Sequence, residues 1–258
     1  MISGELISAM QLEFKEFLTP FNYPPFDEDP IVQKTLEHIN QVVENSRILA
    51  GSLDLSDTEK AVAEMNAQFH DIGRLWLLVP GNSEIKDADH SQLSIEYLKS
   101  SEAFKKVDDQ TQNIVKQVIK YHNKPELPLK ENDTILFYLK LLRDADKLDV
   151  WRGTTEYIIR KSGKPNMAQE LSLSEKAVVT PSFCKIIIDG GIPNKNDLVT
   201  FNDFIIFQMS WIFDLHFKKS FQIVNQKQYI RHLYDSLPKN DNVIEIYRML
   251  RIYIENKI

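Results

Sequence analysis

The sequence predicts an all-α protein, on three observations. Apolar residues recur at steps of three, four and seven along most of the chain, the repeat of a helix buried on one face. Alternating strand patterns are hard to find, and glycine is scarce at eight residues in 258. Helix start and stop signals then divide the chain: Ser56 with Glu59, Asp108, Thr180-Pro181 and Gly190.

Each element follows in order. Residues 4–18 read as an amphipathic helix, closed by the stretch Pro20 to Pro30. Residues 30–50 form a second, with Ile31, Thr35, His38, Val42 and Leu49 on one face, so His38 is expected toward the core. Ser56 and Glu59 make a capping box for a third helix, striped by Val62, Met65 and Phe69. His70 shares a face of that helix with Ala63 and Ala67, small residues that let another helix come close. Gly73 follows, where the helix bends or ends.

Residues 80–88 read as a polar loop, and a helix from about 89 carries His90, Leu93 and Tyr97 on one side. Asp108 caps the next helix, where Val115, Val118, Ile119 and His122 share a face that Pro125 ends. The helix from about 133 places Ile135, Leu139, Leu142 and Asp146 together. Beyond Trp151 the signals weaken. Thr180-Pro181 opens a helix closed by Gly190, residues 200–215 form a strongly apolar one, and two more fill 218–236 and 241–257.

Composition narrows the function. Net charge is −6, with acids outnumbering bases by 37 to 31, which argues against a broad nucleic-acid surface. Cys184 is the single cysteine, so no internal disulfide or zinc-thiolate cluster forms and a reducing compartment is expected. No apolar run reaches the ~18 residues of a membrane span. Glu5, Glu13 and Glu16 make the N-terminus unlike a signal peptide. A cytoplasmic protein with no membrane partner is the expectation. Neither a glycine-rich phosphate loop nor a serine or cysteine nucleophile is supported.

The chemistry lies in His38, the doublet His70-Asp71 and Asp146, each on or beside an apolar stripe. Imidazole and carboxylate groups are costly to bury unless paired or bound to metal. Four from separate helices suggest that one divalent ion collects them. Such an ion can activate water and polarise a phosphoryl oxygen.

His38, FHDIGR and RDADKLD together resemble the signature of the HD superfamily of metal-dependent phosphohydrolases, across about residues 30–155. The resemblance implies an HD-domain helical core with additional C-terminal helices. Its lead-in is residues 1–29, its HD domain 30–155, and its C-terminal helical extension 156–258, packed on that core. It implies His38, His70, Asp71 and Asp146 as metal ligands. Asp146 is chosen over Asp144 because Lys147-Leu148 follows it. DADHSQLSIEYL resembles the segment in which two-metal members carry a further histidine, here His90. VIKYHNK resembles their His-His segment, with His122 kept and Asn123 in the second place. His90 and His122 are therefore candidates for a second ion, and Asp71 for the bridge between two. HDIGR, YHNK and RDADKLD, with FQMSWIFDLHFKKSF, further resemble one group of bacterial HD proteins.

The implied function is hydrolysis of a phosphate ester by metal-activated water. Asp71 is the catalytic candidate, and Arg74 and Lys147 are the substrate contacts. The substrate would be a small phosphorylated molecule, nucleotides among them. One or two ions are expected, with Mn, Fe, Ni, Co, Zn and Mg all compatible. Two alternatives stand beside this: a catalytically weak sensor that binds metal and nucleotide, and an HD-type di-iron oxygenase.

Overall fold

The computed structural model describes residues 4–22, 28–78, 89–160, 172–174, 176 and 178–258. The 80–88 loop, Ser162–Asn166 and residues 23–27 of the proline-rich stretch lie outside the described residues. The described residues are helical nearly throughout. Their one strand-like feature is an isolated bridge between Ser174 and Thr200. No helix among them is long and apolar enough to cross a membrane. The chain divides into two compact units, Met1–Asp146 and Lys147–Ile258.

The first unit holds α1 (Gly4–Leu18), α2 (Pro30–Gly51), α3 (Asp57–Phe69), α4 (Ile72–Trp76), α5 (His90–Ser100), α6 (Asp109–Tyr121) and the first half of α7 (Asp133–Arg160). Asp29 starts α2 by accepting from the Ile31 amide at 2.7 Å, with Pro30 in the first turn where its missing N–H costs nothing. The expected capping box is formed: the Glu59 amide donates to Ser56 Oγ at 3.3 Å, and the Ser56 amide donates to Glu59 Oε2 at 2.8 Å. Asp108 accepts from the Thr111 amide at 3.0 Å to start α6.

These helices bury their apolar faces against one another. Val32, Ile39, Val42 and Leu49 of α2 are buried, as are Val62, Met65 and Phe69 of α3, although Ile31 at the start of α2 is exposed. Phe14 of α1 meets the Phe69 ring edge-on at 5.4 Å. Glu13 fastens α1 to the segment after α5, accepting from the Ala103 amide at 2.7 Å and from Ser101 Oγ.

The helix around His70 does not bend at Gly73 but breaks two residues earlier. Asp71 leaves helical geometry at φ −113°, ψ 7°, and α4 starts at Ile72. The glycine has a different task. A Cβ on Gly73 would lie 2.1 Å from the His90 carbonyl oxygen and 2.7 Å from the Ser94 amide nitrogen. The Gly73 amide instead donates to Ser94 Oγ at 2.9 Å, and that hydroxyl lies 2.8 Å from the His70 carbonyl. Only a residue without a side chain lets α5 sit this close to the His-Asp turn.

In the second unit, the rest of α7 packs with α8 (Pro181–Ile188), α9 (Phe201–Ser210), α10 (Lys218–Gln226), α11 (Tyr229–Ser236) and α12 (Asp241–Glu255). Trp151 is fully buried and donates its indole N–H to the Gln208 carbonyl at 3.1 Å. Buried Asp203 accepts from the amides of Thr180 and Thr200 at 2.7 and 3.0 Å, tying the start of α8 to the start of α9. The single helix expected over 218–236 is two, because Gln228 adopts left-handed φ 56° between them. The helix over 200–215 ends at Ser210, and a 3-10 turn covers Trp211–Asp214.

Gly73→Ala is expected to destabilise the first unit by about 1–3 kcal/mol through overpacking against backbone. Thermal unfolding monitored by circular dichroism would show this as a drop of several degrees in Tm.

Candidate metal centre

Six side chains of the first unit converge from five helices. His38 comes from the middle of α2 and Asp146 from the middle of α7. The other four sit at helix ends: His70 and Asp71 after α3, His90 as the first residue of α5, and His122 after α6.

Backbone carbonyls set the histidine tautomers. His70 Nδ1 lies 2.8 Å from the Ala67 carbonyl, and His122 Nδ1 lies 2.6 Å from the Ile119 carbonyl. A carbonyl only accepts, so Nδ1 carries the proton in each and Nε2 presents a lone pair. His70 is fully buried, and burial pushes its pKa down to about 4 despite the neighbouring Asp71. It is therefore neutral at physiological pH, the state that binds metal.

The Asp71 carboxylate divides the residues into two groups. Near Oδ2, His38 Nε2 lies at 3.6 Å and His70 Nε2 at 3.9 Å. The same His38 nitrogen is 3.4 Å from Asp146 Oδ1 and 3.3 Å from His70 Nε2. Near Oδ1, His90 Nε2 lies at 3.1 Å and His122 Nε2 at 3.6 Å, with 3.3 Å between the two nitrogens. Burial alone would raise the Asp71 pKa. The surrounding imidazoles of His70, His122 and His90 and the Arg74 guanidinium outweigh it and hold the carboxyl well below its ordinary value.

The residues fit a divalent ion. Among the described residues, His38, His70 and Asp146 form one group that could hold a metal, and His70, Asp71 and His122 form another. Nitrogen and oxygen donors about 2.1 Å from one ion, at tetrahedral or octahedral angles, lie about 3.0–3.4 Å from one another. The two histidine pairs, each 3.3 Å apart, have this spacing. Asp71 Oδ1 is buried and has no hydrogen-bond partner. A buried carboxylate oxygen left without a donor is costly, and a cation removes that cost.

The remaining candidates are placed differently. Arg74 turns back through Nε to Asp71 Oδ2 at 2.6 Å, with its side chain half exposed. Lys147 belongs to the second unit, where its ammonium lies 2.7 Å from Asp214 Oδ2. Arg143 is buried at the end of α6, where it donates to the carbonyls of His122 and Pro125 at 3.3 Å and to that of Lys124. It holds the chain around His122 in place. Asp149 accepts from Arg152 Nε at 2.7 Å. Sequence reasoning missed Asp89. Its Oδ1 caps α5 at the Ser91 amide (3.0 Å) and accepts from Asn123 Nδ2 (2.7 Å), while Lys124 Nζ pairs with its Oδ2. The capping signal was legible just before His90, but the pairing with Asn123 and Lys124 joins residues more than thirty apart.

Residues 35–151 match the family model of the HD domain. This stretch is an HD domain. No curated protein and no solved structure matches it. HD domains are generally metal-dependent hydrolases of the phosphohydrolase type, and the His/Asp groups above are of the kind that hold divalent metals. The HD match covers most of α2, all of α3, α4, α5 and α6 and part of α7, and so every residue of the two groups.

Adding divalent metal to chelator-stripped protein is expected to raise Tm, because an ion that binds only the folded state stabilises it by about 2.7 kcal/mol at a hundred times its Kd. In His70→Ala the increase should be lost or much reduced. Differential scanning calorimetry with Mn2+, Co2+ or Zn2+ measures both.

Proposed function

We propose that this HD protein hydrolyses phosphate esters of small molecules, nucleotides among them. One ion would be held by His38, His70, Asp71 and Asp146, and a second by Asp71, His90 and His122. A single observation carries the reading: Asp71 is a buried carboxylate with one oxygen toward each histidine group, and Oδ1 has no hydrogen-bond donor. When bound, the metal supplies Lewis-acid polarisation of a phosphoryl oxygen and lowers the pKa of a water toward neutrality.

The chain's own residues do the rest. Asp71 stays ionised and so can accept a hydrogen bond from the attacking water and orient it. His70, kept neutral by burial, holds its lone pair toward the centre without competing for the proton. Arg74 rests on Asp71 by Nε and is half exposed, so its planar fork is the group we assign to an incoming phosphoryl oxygen. Lys147 is already engaged by Asp214, which makes it the weaker candidate for that contact.

The test is turnover by the metal-loaded full chain on nucleotides, cyclic nucleotides and nitrophenyl phosphates. His70→Ala and Asp71→Ala should each lower kcat/KM by at least about a hundredfold, since even the partners that merely orient ligands cost 10–100-fold. Equal rates for wild type and both variants would sink the reading. A second reading has one observation in its favour: His90, His122 and Asp71 supply two imidazoles and a carboxylate, the donor set of non-haem iron oxygenases. Oxygen consumption by the ferrous protein, with no phosphate released from any ester, would select it.

A further inference from the structure

The geometry points to Asp89 and Asn123 as a positioning pair that sets His90 as a metal ligand, so that Asn123 orients a histidine without itself serving as a ligand. The inference rests on the reading that Asp71, His90 and His122 hold an ion. It adds what makes that half of the centre competent.

The hydrogen bonds of Asp89 carry the argument. A carboxylate can only accept, so the atom of the Asn123 amide 2.7 Å from Asp89 Oδ1 is the nitrogen, and the amide is locked in that sense. That same Nδ2 lies 3.4 Å from His90 Nε2. That histidine nitrogen has one lone pair and cannot both accept from the amide and bind an ion, so Asn123 acts on His90 through its hold on Asp89 and by packing beside the ring edge that faces Asp71 Oδ1 at 3.1 Å. His70 and His122 have their tautomers set by backbone carbonyls of their own helices. His90 is the first residue of α5, with no preceding turn of that helix to supply such a carbonyl, and its Nδ1 is 3.9 Å from Asp89 Oδ1. His90 is instead placed by its helix start, which Asp89 caps and Asn123 holds.

Distance is set by the same pair. Asp89 starts α5, and both Asn123 and Lys124 hold it from the end of α6. Arg143 pins the carbonyls of His122, Lys124 and Pro125 from below. The start of α5 and the end of α6 are thus tied together on both sides of the 3.3 Å gap between His90 and His122.

Asp89→Ser is the decisive variant. Serine keeps the helix cap but is too short to reach Asn123 or Lys124. Asp89→Asn keeps both the cap and an acceptor for Asn123 and serves as the conservative rescue. The experiment is titration of the chelator-stripped full chain with Co2+, following stoichiometry and visible absorption, with Tm as the check on folding. Wild type should bind two ions with distinct spectra. In Asp89→Ser and in Asn123→Ala one Kd should rise about 10–100-fold with a change in its spectrum, while the other stays unchanged. Asp89→Asn should recover most of the loss, and Asp89→Ser should cost nothing further in a His90→Ala background. Two ions bound by wild type with unchanged affinities and spectra in both Asp89→Ser and Asn123→Ala would overturn this inference alone. Fewer than two ions on wild type would defeat the two-ion reading and the inference with it. Asn123 is exposed at the end of α6, so Asn123→Ala carries the test if Asp89→Ser does not fold.

Discussion

The site depends on one buried carboxylate. Asp71 sits where α3 has ended and α4 has not begun, and its two oxygens face different histidine groups. Ionised carboxylates are costly to bury, by several kcal/mol each even after relaxation. Arg74 reduces that cost at Oδ2, and four imidazoles lie around the two oxygens. What they leave undone is a donor for Oδ1. That deficit is the physical reason to read the cluster as a metal centre, not as a satisfied polar core.

The local fold serves this arrangement. Gly73 lets α5 come against the His-Asp turn, and Ser94 fills the contact with hydrogen bonds to the backbone on both sides. Were the approach wider, His90 would not reach within 3.1 Å of Asp71. The glycine that follows His-Asp-Ile therefore acts through packing distance more than through a turn. Arg143 has a comparable part at the end of α6, where orphan carbonyls would otherwise lack partners. A basic residue near a phosphohydrolase-type centre invites assignment to the substrate, yet this one is buried and spent on the backbone.

Much of the fold was legible because helix signals are local. The capping box at Ser56 and Glu59 and the cap at Asp108 need only three or four consecutive residues, and both form as read. The stripe Val115, Val118, Ile119 is buried as its period requires. The misreadings have local causes too. Gln228 takes a left-handed conformation that no glycine announces, and it divides one expected helix into two. The His70 helix breaks at Asp71, before the glycine that was expected to end it.

For the site, the sequence by itself singled out the candidates: His38, His70, Asp71, His90, His122 and Asp146 are distinctive in type and in spacing. Their motif context resembles the HD superfamily, whose domain matches residues 35–151. Tertiary structure decided what they do to one another. It divided them about the two oxygens of Asp71, turned Arg74 back onto that carboxylate and engaged Lys147 with Asp214. It also placed Asn123 beside Asp89, thirty-four residues away in the chain. The reason is range. Helical period and capping are written in neighbouring residues, whereas distances between donors depend on how closely separate helices pack.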